Sequence, residues 1–230
     1  MNYNKNIIEA KFIYRPNRFE AIVELNGEEI IVHVPNTGRC KEILVPNSKV
    51  YLREESNPNR KTGYDLIAAY KNNELINIDS QIPNKVVDEA LRASKISELK
   101  IYKTILREKT FGKSRFDFKL LSDDNQIYYL EVKGVTLENN KVVSFPDAPT
   151  ERGTKHILEL IEVKRQKMGA GILLLIQLQN VKYFTPNYEM DPKFAEALKL
   201  AKNFGVDILA YNCKVCKESI ELLEPVKVIL

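Results

Sequence analysis

The stretch SRFDFKLLSDDNQIYYLEVK, residues 114–133, decides the fold of the second half of the chain. It contains two runs in which apolar and polar residues alternate, 115–121 and 127–133, separated by a turn-rich segment. This alternation predicts two antiparallel strands joined as a hairpin by an odd-numbered loop of about three to five residues. If the apolar faces of the strands coincide, Asp117 and Glu131 lie opposite each other on the other face.

This pair of carboxylates predicts a metal site. Residues directly opposite in an antiparallel pair have Cβ atoms about 4.5–5.5 Å apart, and two carboxylates that close repel unless a cation bridges them or one is protonated. Mg²⁺ and Mn²⁺ prefer carboxylate oxygens, so we predict that Asp117 and Glu131 hold one of them. Lys133 would orient a water or offset charge during phosphodiester cleavage. The alternative is a solvated strand face with ordinary charges.

A third metal ligand is predicted on a helix. Residues 84–93 have helical spacing, with an apolar stripe of Val86, Val87, Ala90 and Leu91. Glu89 flanks that stripe, where a helix packed beside the sheet could aim it at the metal. The alternative is an exposed helical glutamate. Gln177, in a strongly apolar strand, could face the same site or could be a hydrogen-bonded core amide.

The segment that follows Lys133 predicts a phosphate-binding helix start. Thr150 can cap a helix over about 150–168, which Gly169 and Gly171 would end. Arg152, Lys155 and His156 line its first turn and could grip phosphate beside the helix N-terminus. The alternative is a capped helix with exposed cations.

The first 82 residues predict a small β-barrel. Five short runs at 19–25, 28–34, 49–54, 64–70 and 75–78 read as strands, with a hairpin turn at Asn26-Gly27. An OB-like barrel has this size. Its predicted nucleic-acid-binding face carries five cations, namely Arg15, Arg18, Arg39, Arg60 and Lys61, with Tyr14, Phe19 and Tyr64 available to stack on bases. The alternative is a solvated barrel rim.

Residues 83–230 predict a second domain. Strands at 102–110, 115–121 and 127–133 precede an alternation of helix and strand, which implies parallel pairing with right-handed crossovers. Asp191-Pro192 marks the start of the last helix. The predicted fold class is therefore α/β, or α+β for the whole chain, with an N-terminal barrel and a C-terminal mixed-sheet domain.

The composition of the chain is typical of a globular protein without a membrane-spanning segment. The chain has 230 residues, 44% hydrophobic and 29% charged, and a net charge of +4, which permits a polyanionic partner without demanding one. It has no apolar run of about 18 residues and no signal-peptide pattern, so we expect a cytoplasmic protein without a membrane partner. Of the three cysteines, Cys213 and Cys216 form a CxxC without the second pair that a zinc site needs, and strand or turn thiols are the preferred interpretation.

Several longer strings resemble one family. RPNRF (15–19), HVPNTGRC (33–40), NIDSQIPN (77–84), SRFDF (114–118), EVKGVTL (131–137) and FPDAPTERG (145–153) are similar to the sugar fermentation stimulation protein A (SfsA) family over nearly the whole chain. The resemblance implies a DNA-binding protein linked to sugar, notably maltose, metabolism. It also implies an OB-like N-terminal domain and a C-terminal domain like the PD-(D/E)xK nucleases.

The nuclease resemblance assigns roles residue by residue. Asp117 takes the position of the metal-binding aspartate, Glu131-Val132-Lys133 takes the (D/E)xK string, and Glu89 takes the acid of the early helix. One departure is Phe116, which stands where the signature often has proline; that proline has no chemical role.

Two functions that involve DNA follow as hypotheses, beside a third in which the OB-like module binds a sugar or a protein instead of nucleic acid. The first is a metal-dependent endonuclease or exonuclease, or related phosphodiesterase, that acts on DNA with the barrel as its grip. The second is a non-catalytic DNA-binding regulator of sugar metabolism. Self-association of the chain is left open.

Overall fold

The computed structural model describes all residues, 1–230, and its N-terminal part is a closed β-barrel. The strands are β1 Ile7–Tyr14, β2 Glu20–Leu25, β3 Glu28–His33, β4 Lys49–Glu54, β5 Tyr64–Lys71 and β6 Glu74–Asn77. Their spatial order is β3-β2-β1-β4-β5-β6, and a parallel pairing of His33 with Asp65 joins β3 to β5. Five strands therefore close into a barrel that β6 extends, which confirms the OB-like prediction.

The β2–β3 hairpin forms as predicted, whereas β1 was missed. Asn26 and Gly27 have φ values of 54° and 85°, the positive values that a tight hairpin turn requires. In β1 the buried residues Ile7, Ala10 and Phe12 are spaced by three and then by two, so they give no clear period of two. The strand pairs with β4 over 7–11 and with β2 over 11–14, with a register shift near its end. Which residues of β1 are buried therefore depends on its pairing with two different strands of the curved barrel, and a simple alternation in the sequence does not show it.

A helix, α1 (Ile82–Arg92), connects the barrel to the rest of the chain. Pro83 lies in its first turn, where a missing N–H costs nothing. The predicted apolar stripe of α1 is buried. A short 3-10 helix, Ser97–Leu99, follows.

The remaining elements form a mixed sheet covered by helices, as predicted. They are β7 Tyr102–Phe111, β8 Ser114–Ser122, β9 Ile127–Val135, β10 Leu137–Asn139, β11 Val142–Phe145, α2 Glu151–Arg165, β12 Gly169–Ile176, β13 Tyr183–Pro186, α3 Pro192–Asn203, β14 Asp207–Val215, β15 Ile220–Pro225 and β16 Lys227–Val228. The large sheet has the order β15-β14-β12-β9-β8-β7, with β9, β12 and β14 parallel. A second sheet, β10-β11-β13-β16, was not predicted.

The end of α2 differs from the prediction. The helix stops at Arg165, Lys167 takes a positive φ of 62°, and Gly169 and Gly171 lie inside β12 instead of ending the helix. Tyr128 of β9 fills the space beside both glycines, because a Cβ at Gly171 would lie 2.1 Å from its Oη. These glycines therefore permit close packing of neighbouring strands.

Two hydrophobic clusters, of 35 and 24 buried residues, hold the molecule together. Each cluster contains residues from the barrel and from the C-terminal sheet, for example Leu52 with Ile172 in the first and Ile67 with Leu173 in the second. Since the two parts share their cores, the proposed boundary between 1–82 and 83–230, inside the first turn of α1, stays a prediction. None of the helices has the length and apolarity needed to cross a membrane.

Candidate active site

The hairpin of β8 and β9 has the predicted register. Phe118 pairs with Leu130 and Leu121 with Ile127, so the turn between them has an odd number of residues, 122–126. The paired ladder ends at Phe118 and Leu130, one residue before Asp117 and Glu131. The candidate site therefore lies where the two strands separate.

Asp117 sits in that gap and is held from two sides. Asn84 of α1 donates a hydrogen bond from Nδ2 to Asp117 Oδ1 at 2.7 Å, and the backbone N–H of Val132 donates to Oδ2 at 2.8 Å. The Asp117 carboxylate thus accepts the hydrogen bond of the Val132 N–H of β9 in place of a backbone carbonyl of a neighbouring strand. Asn84 of α1 fixes its orientation. Burial raises the pKa of Asp117, and the nearby negative charge of Glu131 raises it further.

Glu131 is buried, with 3% of its surface exposed, on the side of the sheet covered by α2. Its Oε1 accepts a hydrogen bond from Lys133 Nζ and lies 2.5 Å from His156 Nδ1. Its Oε2 is buried without any hydrogen-bond partner. Burial acts to raise the pKa of Glu131, but the hydrogen bond from His156 and the charge of Lys133 outweigh it, so the pKa lies below its ordinary value.

These residues fit a divalent cation. A buried carboxylate oxygen without a partner costs free energy that a cation would recover. A bound positive charge would also relieve the repulsion between the carboxylates of Asp117 and Glu131. The donors are carboxylate oxygens, the type that Mg²⁺, Mn²⁺ and Ca²⁺ prefer. No group of three or more His, Cys, Asp and Glu side chains is arranged to bind a metal, so waters or backbone oxygens would complete the ligand set.

Lys133 connects this centre to a cleft between the barrel and the C-terminal sheet. The cleft has a volume of about 280 Å³, and Lys133 and Gly134 line it opposite the barrel turn of Asn36, Thr37 and Gly38. Asp147 also lines it, and its Oδ2 accepts a hydrogen bond from the backbone N–H of Arg39 at 2.8 Å. The ammonium of Lys133 therefore reaches both Glu131 and an open space.

The predicted arrangement of faces needs one correction. Phe116 does not share the face of Phe118; it packs against Tyr129 and His156 on the α2 side, while Phe118 belongs to the other cluster. Asp117 is therefore held by Asn84 of α1 and Glu131 by His156 of α2, so the two carboxylates are oriented by different helices.

The structure places Glu89 away from Asp117 and Glu131, so it lends no support to the prediction of Glu89 as a metal ligand. Glu89 forms an ion pair with the amino group of Met1 at 2.8 Å, and its side chain is 61% exposed. Five residues separate it from Asn84, which turns it by about 140° around the helix from the side that meets Asp117. Asn84 is the residue that α1 presents to the site.

Two of the predicted DNA-binding arginines are engaged inside the protein. Arg15 donates hydrogen bonds to the backbone carbonyls of Asn36, Gly38 and Arg39, as well as Arg18, so it holds the turn that borders the cleft. Arg60 pairs with Asp65 and Glu55. These contacts occupy both guanidinium groups, which are partly buried, whereas Arg18, Arg39 and Lys61 are exposed.

In the first turn of α2, too, some of the predicted phosphate-binding residues are exposed and one is buried. Thr150 caps the helix as predicted, by accepting a hydrogen bond from the backbone N–H of Gly153 at 3.0 Å. Arg152 and Lys155 are exposed, whereas His156 is buried with its Nδ1 against Glu131, although it also borders the space that Arg152 and Lys155 line. Its contact with phosphate stays a prediction. The helical period places His156 on the face that packs on the sheet.

Sequence reasoning missed Asn84 and Asp147. Asn84 directly follows Pro83 at a predicted helix start, a position where an asparagine suggests local capping. Asp147 lies in the FPDAPTERG string, whose composition marked it without indicating a role. Gln177, for which two roles were open, fills both: its amide donates to Asn77 Oδ1 at 2.7 Å, and its side chain also lines the cleft beside Lys133.

Comparisons with known proteins give one consistent family. Residues 13–78 match the SfsA N-terminal OB domain, and residues 81–219 match the sugar fermentation stimulation protein RE domain. A sugar fermentation stimulation protein homolog of Clostridium botulinum (strain Langeland) is 67% identical over 228 residues, covering 99% of both chains. The homolog of Clostridium tetani is 65% identical over 230 residues, covering 100% of both chains. Among solved structures, that of Pyrococcus furiosus SfsA in complex with Ca²⁺ has a TM-score of 0.89 and 28% identity, with full coverage of both chains.

Proposed function

We propose that this chain, which belongs to the sugar fermentation stimulation protein (SfsA) family, is a DNA-binding protein that hydrolyses phosphodiester bonds with a bound divalent cation. The observation that carries the proposal is the buried, unpartnered Oε2 of Glu131 beside the carboxylate of Asp117.

Asp117 and Glu131 would hold the cation, Mg²⁺ or Mn²⁺. When bound, such a cation lowers the pKa of a coordinated water and polarises a phosphate oxygen. The protein contributes the orientation of the two carboxylates. Asn84 and the Val132 N–H position Asp117, and His156 positions Glu131, so these are positioning residues.

Lys133 is proposed as the catalytic cation of the centre. Its Nζ contacts Glu131, and its side chain borders the cleft, so it can approach a phosphate that lies there. An ammonium at this position offsets negative charge that grows on a phosphate during cleavage. Exposed Arg152 and Lys155, at the start of α2, add positive charge on the other side of Glu131.

The cation at this centre has support from the Pyrococcus furiosus relative, whose structure contains Ca²⁺. Ca²⁺ and Mg²⁺ both take oxygen ligands, although Mg²⁺ demands a more regular octahedron. DNA as the substrate is supported by the exposed cations of the barrel and of α2 and by the nuclease resemblance of the Asp117 and Glu131-Val-Lys133 strings.

The test is cleavage of labelled single-stranded and duplex DNA with Mg²⁺, with Mn²⁺ and with EDTA. We expect metal-dependent cleavage that falls by at least about 100-fold in Asp117→Asn and in Lys133→Ala. Asp123→Asn, in the exposed turn of the same hairpin, and Lys109→Ala, exposed on β7, are matched controls that should keep wild-type rates.

Binding of the cation is measured separately, by calorimetric titration with Mn²⁺. Asp117→Asn should weaken it, whereas Asp123→Asn should not. If neither DNA is cut, the proposed hydrolysis fails, and if no cation binds, the proposed metal site fails as well. DNA binding that then survives in Asp117→Asn would instead support the non-catalytic regulator.

A further inference from the structure

A groove on the outside of the barrel carries positive charge without any carboxylate. It has a volume of about 770 Å³, and its charged lining residues are Arg15, Arg18, Arg39 and Lys41. Arg18, Arg39 and Lys41 are exposed, and none of them forms an ion pair. Most other cations of the barrel sit beside carboxylates, as Arg53 and Arg60 do beside Asp65. Three free cations in one groove fit a polyanion.

The groove also offers an aromatic ring and apolar surface. Tyr14, at the end of β1, is 52% exposed and lines it together with Leu44, Pro46 and Ala148. An exposed ring beside unpaired cations is the combination that binds single-stranded nucleic acid, because bases stack on the ring while cations follow the phosphates. Paired bases in a duplex have no free face for such a ring.

The groove is built before any ligand arrives. The guanidinium of Arg15 bonds to the carbonyls of Gly38 at 2.8 Å and Arg39 at 3.0 Å, and also to Arg18 and Asn36. These bonds hold the two segments that carry the free cations in one arrangement. A prearranged site loses less conformational entropy when it binds.

The groove leads to the candidate active site. Thr37 and Gly38 line both the groove and the cleft of Lys133. At about 280 Å³, that cleft is at the lower limit of the roughly 300–1,000 Å³ typical of small-molecule sites. A cleft of this size suits one unpaired nucleotide better than a base pair.

We propose that the DNA reaches the centre as a single strand, which lies along this barrel groove with a base stacked on Tyr14 and phosphates on Arg18, Arg39 and Lys41. The inference rests on the proposed function in one respect, namely that the strand ends at the centre of Asp117 and Glu131. The groove itself stands on its own charges and exposed ring.

The experiment measures fluorescence anisotropy of a labelled oligothymidylate and of a duplex of equal length, in EDTA so that no cleavage occurs. We expect tighter binding of the single strand, and a loss of about 5- to 100-fold in Tyr14→Ala for the single strand alone. Tyr14→Phe keeps the ring and should bind like the wild type. Phe204→Ala, an exposed aromatic residue after α3, is the control for a general loss of apolar surface.

Arg39→Ala and Lys41→Ala should each lower the slope of log affinity against log salt by about 0.7, the value for one phosphate contact with a single strand. Equal binding of both DNAs, or equal effects of Tyr14→Ala on both, would overturn the inference, and so would an absence of single-strand binding. These outcomes leave the cleavage test of Asp117→Asn unaffected. Conversely, single-strand binding through Tyr14 without cleavage would refute the proposed hydrolysis alone.

Discussion

Several buried charged residues in this protein are held in place by ion pairs with other charged residues. The densest group surrounds Asp65 in the barrel, which is 4% exposed and pairs with Arg53, Arg60 and His33. Arg53 in turn reaches Asp79, just before α1. Burial acts to raise the pKa of Asp65, but hydrogen bonds from Arg60, His33 and Arg53 outweigh it, so the pKa lies well below its ordinary value.

Asp65→Asn should lower the free energy of unfolding at pH 7 by about 3 kcal/mol, because it leaves buried guanidinium groups short of a counter-charge. Since the folded-state pKa of Asp65 is depressed, its contribution is complete above the unfolded value of about 3.9 and is lost as pH falls towards the folded value. The difference between wild type and Asp65→Asn should therefore shrink below about pH 4. Urea unfolding at several pH values measures it.

Glu9→Gln is the control for that measurement. Glu9 forms an exposed pair with Lys49 on the same barrel, at 3.2 Å, and exposed pairs contribute little. Its substitution should change stability by less than about 0.5 kcal/mol. A difference between wild type and Asp65→Asn that stays constant down to pH 3 would contradict the assignment.

Among the elements, the pairing of β9 with β12 depends on glycine. A Cβ on Gly171 would lie 2.1 Å from Tyr128 Oη and 3.2 Å from the carbonyl oxygen of Asp207, and the Tyr128 hydroxyl donates to Asp207 Oδ2 at 2.8 Å. Tyr128 is buried, so its ring has little room to move. The central parallel strands can approach only because β12 has no side chain there.

Gly171→Ala should therefore destabilise the protein by about 1–3 kcal/mol through overpacking. In a Tyr128→Phe background the nearest atom is absent, so the same substitution should cost less, by more than about 0.5 kcal/mol in a double-mutant cycle. Chemical denaturation of the four proteins gives the cycle. Gly63→Ala, where a Cβ meets nothing within 4 Å, should be nearly neutral. Additive effects of the two substitutions would rule out this contact as the cause.

The whole molecule is tied together across its two parts by buried polar groups as well as apolar ones. Gln177, at the end of β12, donates to Asn77 Oδ1 at 2.7 Å, and Asn77 donates to Tyr3 Oη at 3.0 Å. The backbone N–H of Asn77 also donates to the Gln177 carbonyl at 3.0 Å. Both amides are almost completely buried, so the barrel and the C-terminal sheet cannot separate without leaving polar groups unpaired.

We expect the barrel and the C-terminal sheet to unfold in a single transition. Far-UV circular dichroism and tyrosine fluorescence should give coincident denaturation curves. Gln177→Leu should shift the whole transition, at a cost of about 1–3 kcal/mol, without splitting it, because it breaks hydrogen bonds of a buried network. Gln126→Leu, in the exposed hairpin turn, is the control. Two separated transitions in the wild type would refute the shared core.

Sequence patterns determined the local structure and the identity of the central residues. Alternation in 115–133 specified the hairpin and its register, because a slip of one residue would exchange the buried and exposed faces. Thr150 and Asp191 specified two helix starts, and Asn26-Gly27 specified a turn, because capping and positive φ are local requirements.

Only the tertiary structure decided which of the charged residues face the candidate site. The assignments of Glu89, His156, Arg15 and Arg60 depended on what lies beyond their own element, and periodicity does not record a partner distant in the chain. The same holds for Asn84 on Asp117, for the turn held by Arg15 and for the packing of Phe116 against His156. Each results from long-range packing, in which a buried charge takes whichever partner satisfies it.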